Sequence, residues 1–189
     1  QLMSSPTYLN NQFLIAMPTL ADPNFAQTVT LICEHNNEGA LGIVINRPGL
    51  LSLGEIMDQL NFEVSDNDLR EQTVFEGGPV HPDRGFVLHE PSQEWESSLA
   101  VSEHIQVTTS RDILAALARG EGPNSYLLAL GYAGWAAGQL EEEMAANAWL
   151  SVEASPDIVF NTGWDQRYKA AADLLGIDLG ALGPGAGHA

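Results

Sequence analysis

The chain has 189 residues, enough for one domain that buries roughly 70% of its unfolded surface, and 44% of them are hydrophobic against 17% charged. Twenty-five acids face seven bases, a formal net charge of −18. Non-specific nucleic-acid binding sets Lys and Arg against several phosphates, commonly about 6–10, and seven bases of which only Arg167 and Lys169 are near neighbours make no such footprint. Direct binding to nucleic acid or to an anionic membrane is therefore not expected, and the charge reads as solubility. No apolar run reaches the ~18 residues of a membrane-spanning helix. The single cysteine, Cys33, leaves no intrachain disulfide framework and agrees with a reducing cytoplasm.

In chain order, FLIAM (13–17) predicts a short buried strand stopped by Pro18, and LADPNFAQ (20–27) a loop turning at Asp22-Pro23. TVTLICEH (28–35) and ALGIVINR (40–47) are β-rich runs joined by NNEG, a hairpin signal in which Gly39 supplies positive φ. SLGEIMDQLNF (52–62) predicts a helix: Ser52 and Glu55 have capping-box spacing, and Leu53, Ile56, Met57 and Leu60 form one apolar stripe. A polar connector (61–72) leads to strands at TVFEG (73–77) and GFVLHE (85–90). SLAVSEHIQVTT (98–109) predicts one or two strands broken near Ser102, and SRDILAALARG (110–120) a helix capped by Thr109 or Ser110 and stopped by Gly120. Then come a buried strand (125–134), a helix ending near Asn147, a strand (148–154), one helical turn (155–160) and a final amphipathic helix (164–176). This order predicts a single α+β domain over 1–189, with flexible ends at 1–11 and 180–189. A parallel pairing of SYLLALGY with AWLSVEA is expected, because a helix separates them.

Three stretches invite a chemical reading. EGGPVHPDRGFVLH (76–89) reads either as a turn between strands or as part of a ligand pocket. Gly77 and Gly78 permit close backbone approach, Pro79 and Pro82 remove two amide donors, and Arg84 offers a planar fork for a carboxylate or phosphate. In INRP (45–48), Asn46 and Arg47 sit where a strand leaves the sheet, placed either to bind a ligand or to tie down a loop. GYAGWAAGQLEEE (131–143) spaces its glycines as G-x-x-G-x-x-x-G, not as a dinucleotide fingerprint, and its Glu141, Glu142 and Glu143 oppose a phosphate. Helix-on-strand packing is the better reading there. His35, His81, His89 and His104 form no ligand motif, so no metal site is expected. Cys33 and His35, two apart in a strand, are expected on one sheet face, with a buried inert thiol favoured over a nucleophilic pair. The four tryptophans are expected to fill core or groove.

Taken together, FLIAMPTLADPNFAQTVTLICEHNNEGALGIVINRP, GGPVHPDRGFVLH, TTSRDILAAL, LALGYAGWAAGQLEEEM, NAWL and the terminal GHA resemble the AlgH/YqgE family of bacterial proteins, in order and over nearly the whole chain. The connector between Phe62 and Thr73 looks short for the family, and His81 is not required by its pattern. The resemblance implies a single-domain α+β fold, a mixed and bifurcated sheet surrounded by helices. Members are often labelled transcriptional regulators, a role that −18 charges make indirect here. It brings no cofactor, activity or catalytic residue. Asn46, Arg47, Gly77, Gly78, Arg84, Arg111 and Gln139 all fall within the family-like motifs at predicted ends of elements. The expectation is a cytoplasmic binding or regulatory protein whose polar pocket, formed where these ends converge, takes a small anionic ligand or a protein partner. The alternative is a hydrolase or transferase in which Arg47 and Arg84 steady an anion beside a base chosen from His35, His81, His89 and Glu76.

Overall fold

In the computed structural model, which describes residues 7–179, the predicted hairpin forms between β2 (Val29–Asn36) and β3 (Gly39–Val44), with Gly39 at positive φ. The expectations for 1–6 and 180–189 lie outside the described residues. Residues just after Thr7 are tied down: the Leu9 amide donates to His35 Nδ1 at 2.9 Å, and the Asn10 side chain brackets the His35 backbone.

The other strands are β1 (Gln12–Ala16), β4 (Pro48–Ser52), β5 (Thr73–Glu76), β6 (Val80–His89), β7 (Ser98–Ala100), β8 (Gln106–Thr108), β9 (Tyr126–Ala136) and β10 (Trp149–Glu153). They join in one ten-stranded sheet whose main path runs β10-β1-β2-β3-β9-β6-β8-β7, with β4 and β5 branching off β9. Strand β9 is the fork. β6 pairs with it antiparallel from Tyr126 onward, β3 takes Ala133–Ala136, and β5 pairs parallel at Ala129 and Leu130. The sheet is therefore mixed and bifurcated. Its parallel pair is β5–β9 and not β9–β10: β10 pairs antiparallel with β1. Both edges of β9 are already occupied, so the chain returning from the helix after β9 finds its free backbone groups on β1.

The paired glycines explain how the fork is built. The chain leaves β5 on one edge of β9 and enters β6 on the other, so residues 77–79 must cross the β9 backbone. A Cβ built on Gly77 falls well inside 3.0 Å of the Gly131 carbonyl, and one on Gly78 equally close to the Tyr132 and Ala133 backbone. Gly78 also has φ 153° and Gly131 φ 78°. Two main chains in contact leave no room for a side chain. The Gly77 amide donates to the Leu130 carbonyl at 2.8 Å and its carbonyl accepts from Val44 at 2.9 Å, which stitches β5, β9 and β3 together at the crossing. At Gly131 the side-chain alternation of β9 changes phase: Leu127 and Ala129 face one core cluster before it, and Tyr132 faces the same cluster after it.

Among the described residues six α-helices cover this sheet: α1 (Leu53–Gln59), α2 (Asn67–Arg70), α3 (Arg111–Ala118), α4 (Gln139–Ala145), α5 (Pro156–Phe160) and α6 (Arg167–Leu174). Ser52 caps α1 by accepting from the Glu55 amide at 3.3 Å, as its spacing predicts. The short α2 lies in the segment expected to be a plain connector. Helices α5 and α6 pack on Phe13, Ile15, Leu31 and Ile43; α1 and α3 pack on Val74, Val87 and Leu128; α4 covers Leu14, Ile32 and Ala133. No helix of the described residues is long and apolar enough to cross a membrane.

Under α4 a single carboxylate organises two indoles. Glu143 Oε1 accepts from Trp135 Nε1 and from Trp149 Nε1, both at 2.9 Å, and Oε2 accepts from Gln139 Nε2 at 2.9 Å. Trp135 and Trp149 are buried as expected of core, whereas Trp164 is exposed. Glu143→Ala leaves two buried indole donors unmatched at about 1–3 kcal/mol each. The expected loss is about 2–4 kcal/mol in urea unfolding followed by tryptophan fluorescence. Glu143→Gln, which keeps the shared oxygen acceptor, should lose much less.

Candidate functional site

The branch formed by β4 and β5 stands away from the main sheet and carries α1 with it, leaving a cleft between α1, β4, β6 and the start of α3. Among the described residues strand β4 pairs only with β5, which leaves its other edge without a partner strand there. Pro48 opens that strand and removes a donor from it. The cleft has two adjoining cavities of about 460 Å³ and about 420 Å³, which share Leu51, Pro82 and Leu130 as a common wall. Both volumes lie in the range of small-molecule sites, ≈300–1,000 Å³. The second is lined by Ile56, Leu60, Val87, Leu114 and Leu128 below a polar rim that includes Gln59, Asp83, Thr109 and Arg111. Leu50 projects beside the first cavity and is 97% exposed.

Arg111 is the cation of the second cavity. Its Nη2 donates to the Leu60 carbonyl and its guanidinium lies over the Phe62 ring at 4.7 Å. No carboxylate pairs with it among the described residues, although Arg70, Arg119 and Lys169 have Asp58, Glu121 and Asp173. Beside it, Ser110 donates to Asp112 Oδ1 at 2.6 Å. Burial pushes the Asp112 carboxyl upward, but hydrogen bonds from Ser110 and from the Glu96 and Ile113 amides hold it below the ordinary range.

The predicted site residues divide between places. Arg47 and Gly78 line the first cavity together with Glu76, and Arg111 lines the second. Arg47 also holds the 20–27 loop, donating to the Asn24 carbonyl at 2.6 Å and the Ala26 carbonyl at 3.1 Å. The Asn46 side chain does the same work, accepting from the Val29 amide at 2.9 Å and donating to the Gln27 carbonyl at 3.0 Å. Gly77 belongs to the crossing of β9. Gln139 lies away from the cleft, where its Oε1 accepts from the Ala136 amide at 3.0 Å at the start of α4. Arg84 is on the opposite sheet face, beside Phe86, Val107 and Tyr132, with its guanidinium 5.5 Å from the Phe86 centroid. The reason is parity: on β6, Gly85 and Val87 face the cleft, so Arg84 and Phe86 point away.

The histidines and the cysteine are also separated. A β-bulge between Ile32 and Glu34 makes Cys33 the extra residue of β2, so Cys33 and His35 fall on opposite faces, against the expectation from their spacing. Burial pushes the Cys33 thiol up to about 12, with Glu34 adding to it, which leaves it protonated and unreactive at neutral pH. His35 Nε2 faces Glu141 at 3.2 Å. His89 is fully buried; since the Glu90 carbonyl at 2.7 Å can only accept, Nδ1 carries the proton, and Nε2 accepts from the Thr108 hydroxyl at 2.6 Å. The Thr108 oxygen in turn accepts from the Ser98 hydroxyl at 2.6 Å. Among the described residues no three His, Cys, Asp or Glu side chains cluster in a way that would hold a metal.

Burial lowers the His89 pKa below its ordinary 6.5, against smaller opposing effects of the Glu90 carbonyl and charge. Below about pH 6.5 the unfolded chain therefore binds this proton first, and stability is lost as pH falls from there toward the lower folded value. Urea midpoints at pH 7.5, 6.5 and 5.5 should fall more steeply for wild type than for His89→Gln.

The model of the AlgH-like family matches residues 13–180, most of the chain. The chain belongs to the AlgH-like family. It is 57% identical over 187 residues to a UPF0301 protein of Thioalkalivibrio sulfidiphilus, covering 99% of this chain and 100% of that one. A UPF0301 protein of Methylococcus capsulatus is 55% identical over 185 residues, 98% of each chain. The solution structure of the AlgH protein from Pseudomonas aeruginosa superposes with a TM-score of 0.80 at 49% identity over 96% of both chains. A crystal structure from Corynebacterium diphtheriae, at 18% identity, a TM-score of 0.70 and coverage of 89% and 87%, shares the fold. Of the three residues that wall the cleft of this AlgH-like chain, Pro82 stood out in its sequence stretch, whereas Leu51 and Leu130 did not. The signal of the two leucines was weak: one stands just before a helix cap and the other within an apolar run.

Proposed function

We propose that the protein is a binding or regulatory protein whose cleft takes a small ligand with an apolar body and an anionic end. The observation that carries this reading is Arg111, a guanidinium with no carboxylate partner among the described residues, set on the rim of a cavity lined by leucine, isoleucine and valine. A cation above an apolar floor fits a carboxylate with a hydrocarbon tail. Binding is favoured over turnover because neither cavity is lined by histidine or cysteine, and the Arg47 beside Glu76 already holds two loop carbonyls. Any effect on transcription is read as indirect, since the cations are few and dispersed in a chain of net charge −18.

Octanoate and octanol form the test pair, with thermal and urea unfolding as the readout. At ten times its Kd, octanoate should stabilise wild type by about 1.4 kcal/mol. Octanol should do less, and Arg111→Gln should respond to the two alike. Equal responses of wild type and Arg111→Gln to octanoate would refute the anion role. A second reading, a protein partner at the same cleft, is favoured by the exposed Leu50 at its mouth. Leu50→Asp should abolish such a complex while leaving the octanoate response intact.

A further inference from the structure

Strand β7 ends the main path of the sheet, with β8 on one side and, among the described residues, no strand on the other. The Thr109 amide donates to the Ser97 carbonyl at 2.9 Å, and the Val101 amide to the Ile105 carbonyl at 2.9 Å. Bonded and non-bonded pairs alternate along an antiparallel ladder. Ser97, Leu99 and Val101 therefore turn their backbone toward β8, whereas the amides and carbonyls of Ser98 and Ala100 point outward. All three residues of β7 are exposed, and among the described residues no loop bonds to that outer edge. Edge strands are commonly guarded by Lys, Pro, a bulge or shortness. Of these β7 has only its shortness, whereas β4 opens with Pro48.

Two features beside this edge define what can pair with it. On the face that carries Leu99, a trough of about 290 Å³ runs inward over Val107, Phe86 and Tyr132 to Leu41. Leu99, at its outer end, is 40% exposed. Arg84, the one charged residue of the trough, lies on β6, two strands or about 10 Å in from the edge. Every second side chain of an added strand would fall on the Leu99 side, where an aliphatic group extends the apolar surface. The other feature is charge. From Glu90 to Ser110 the chain carries Glu90, Glu94, Glu96 and Glu103 and no Lys or Arg. Glu94, Glu96 and Glu103 flank β7, are exposed, and form no ion pair among the described residues. A second copy paired here about a two-fold axis would bring acidic flanks together, in a chain of net charge −18. A basic segment would meet them as counter-charges.

We propose that the outer edge of β7 is a docking site for an extended segment of another protein, with aliphatic residues at alternate positions and Lys or Arg at both ends. Main-chain hydrogen bonds to Ser98 and Ala100 hold the segment, the Leu99 face selects an aliphatic side chain, and the glutamates select the basic ends. Because β7 has only three residues, the backbone bonds are few and the charges carry much of the affinity. No residue of β7 lines either cavity of the cleft, so the site does not depend on the reading of Arg111.

The probe is the acetylated and amidated peptide Arg-Lys-Val-Thr-Val-Thr-Val-Lys-Arg, titrated into the isotope-labelled chain at low salt while the amide resonances are followed. It should shift the β7 amides saturably, protect those of Ser98 and Ala100 from solvent exchange, and bind more weakly as salt is raised. Ala100→Pro removes an outward donor and no β7–β8 hydrogen bond; its thermal midpoint should stay close to wild type and its affinity fall about tenfold. With the central valine opposite Leu99, the threonine amides face β7, so N-methylating both threonines should abolish binding without any change to the protein. The same peptide with Glu in place of Lys and Arg should not bind, and Leu50→Asp should bind the basic probe as wild type does. The proposal is overturned by unmoved β7 amides, by loss of binding in Leu50→Asp, or by equal affinity in Ala100→Pro, for the N-methylated peptide or for the Glu-flanked one. It is equally overturned by a dimer in sedimentation that Ala100→Pro dissolves, which would give the edge to a second copy.

Discussion

Replacing Gly78 with alanine should be the most damaging single-methyl change in this protein, with an expected loss of about 4 kcal/mol or more. The added carbon falls well inside 3.0 Å of the Tyr132 carbonyl carbon and oxygen and of the Ala133 nitrogen. All three are main-chain atoms of the central strand, so no rotamer change relieves the contact. The residue also sits at φ 153°, where L side chains are strained. Relief requires β5 and β6 to separate from β9, which would break the Gly77–Leu130 and Gly77–Val44 hydrogen bonds that close the fork. Domains of this kind hold only ~5–15 kcal/mol in total, so the variant should show a greatly lowered urea midpoint, or fail to accumulate folded. Gly138→Ala is the control. Its φ is also positive, at 76°, but a Cβ there meets nothing within 4 Å, and its cost should stay near 1 kcal/mol.

The second large effect is expected at Arg167→Leu. This side chain is the shared donor for the Ile158 and Val159 carbonyls of α5 and for the Ile45 carbonyl just beyond β3. Leucine fills part of the volume and satisfies none of the three acceptors. At about 1–3 kcal/mol for each buried group left unmatched, the loss should reach about 3–5 kcal/mol in urea unfolding. Burial lowers the pKa of this guanidinium to about 10, still well above neutral pH, so the group is charged throughout the physiological range. Arg167→Lys keeps the charge but offers one compact donor centre in place of a planar fork. It should recover less than half of the loss. Native-state hydrogen exchange should locate the damage in α5 and at the end of β3, which would distinguish a lost set of hydrogen bonds from general destabilisation.

Both sites are instructive about what a one-dimensional reading can reach. The glycine pair stood out in the sequence, but as a candidate turn or pocket; that it marks one main chain passing over another depends on β9, some fifty residues later. Arg167 appeared only as one of two bases close together near the C-terminus. Nothing local distinguishes an arginine on an amphipathic helix that faces solvent from one that reaches inward to three carbonyls. The candidate site was legible in the same partial way. Arg47, Gly78 and Arg111 came to one divided cleft, whereas Arg84 was carried to the other face by strand parity and Gln139 to the start of α4.

The sequence alone determined the class of fold, its hairpin, the Ser52-capped helix and the poverty of cations that argues against a nucleic-acid surface. Those features rest on neighbours within a few residues, or on sums over the chain, and need no knowledge of what pairs with what. Tertiary structure decided the rest: the parallel pair β5–β9, the bulge that divides Cys33 from His35, the phase change at Gly131 and the company each arginine keeps. Each is fixed by competition for strand edges or by a single inserted residue. One such residue turns every later side chain of a strand to the opposite face, so small differences in pairing redistribute the chemistry of the whole surface.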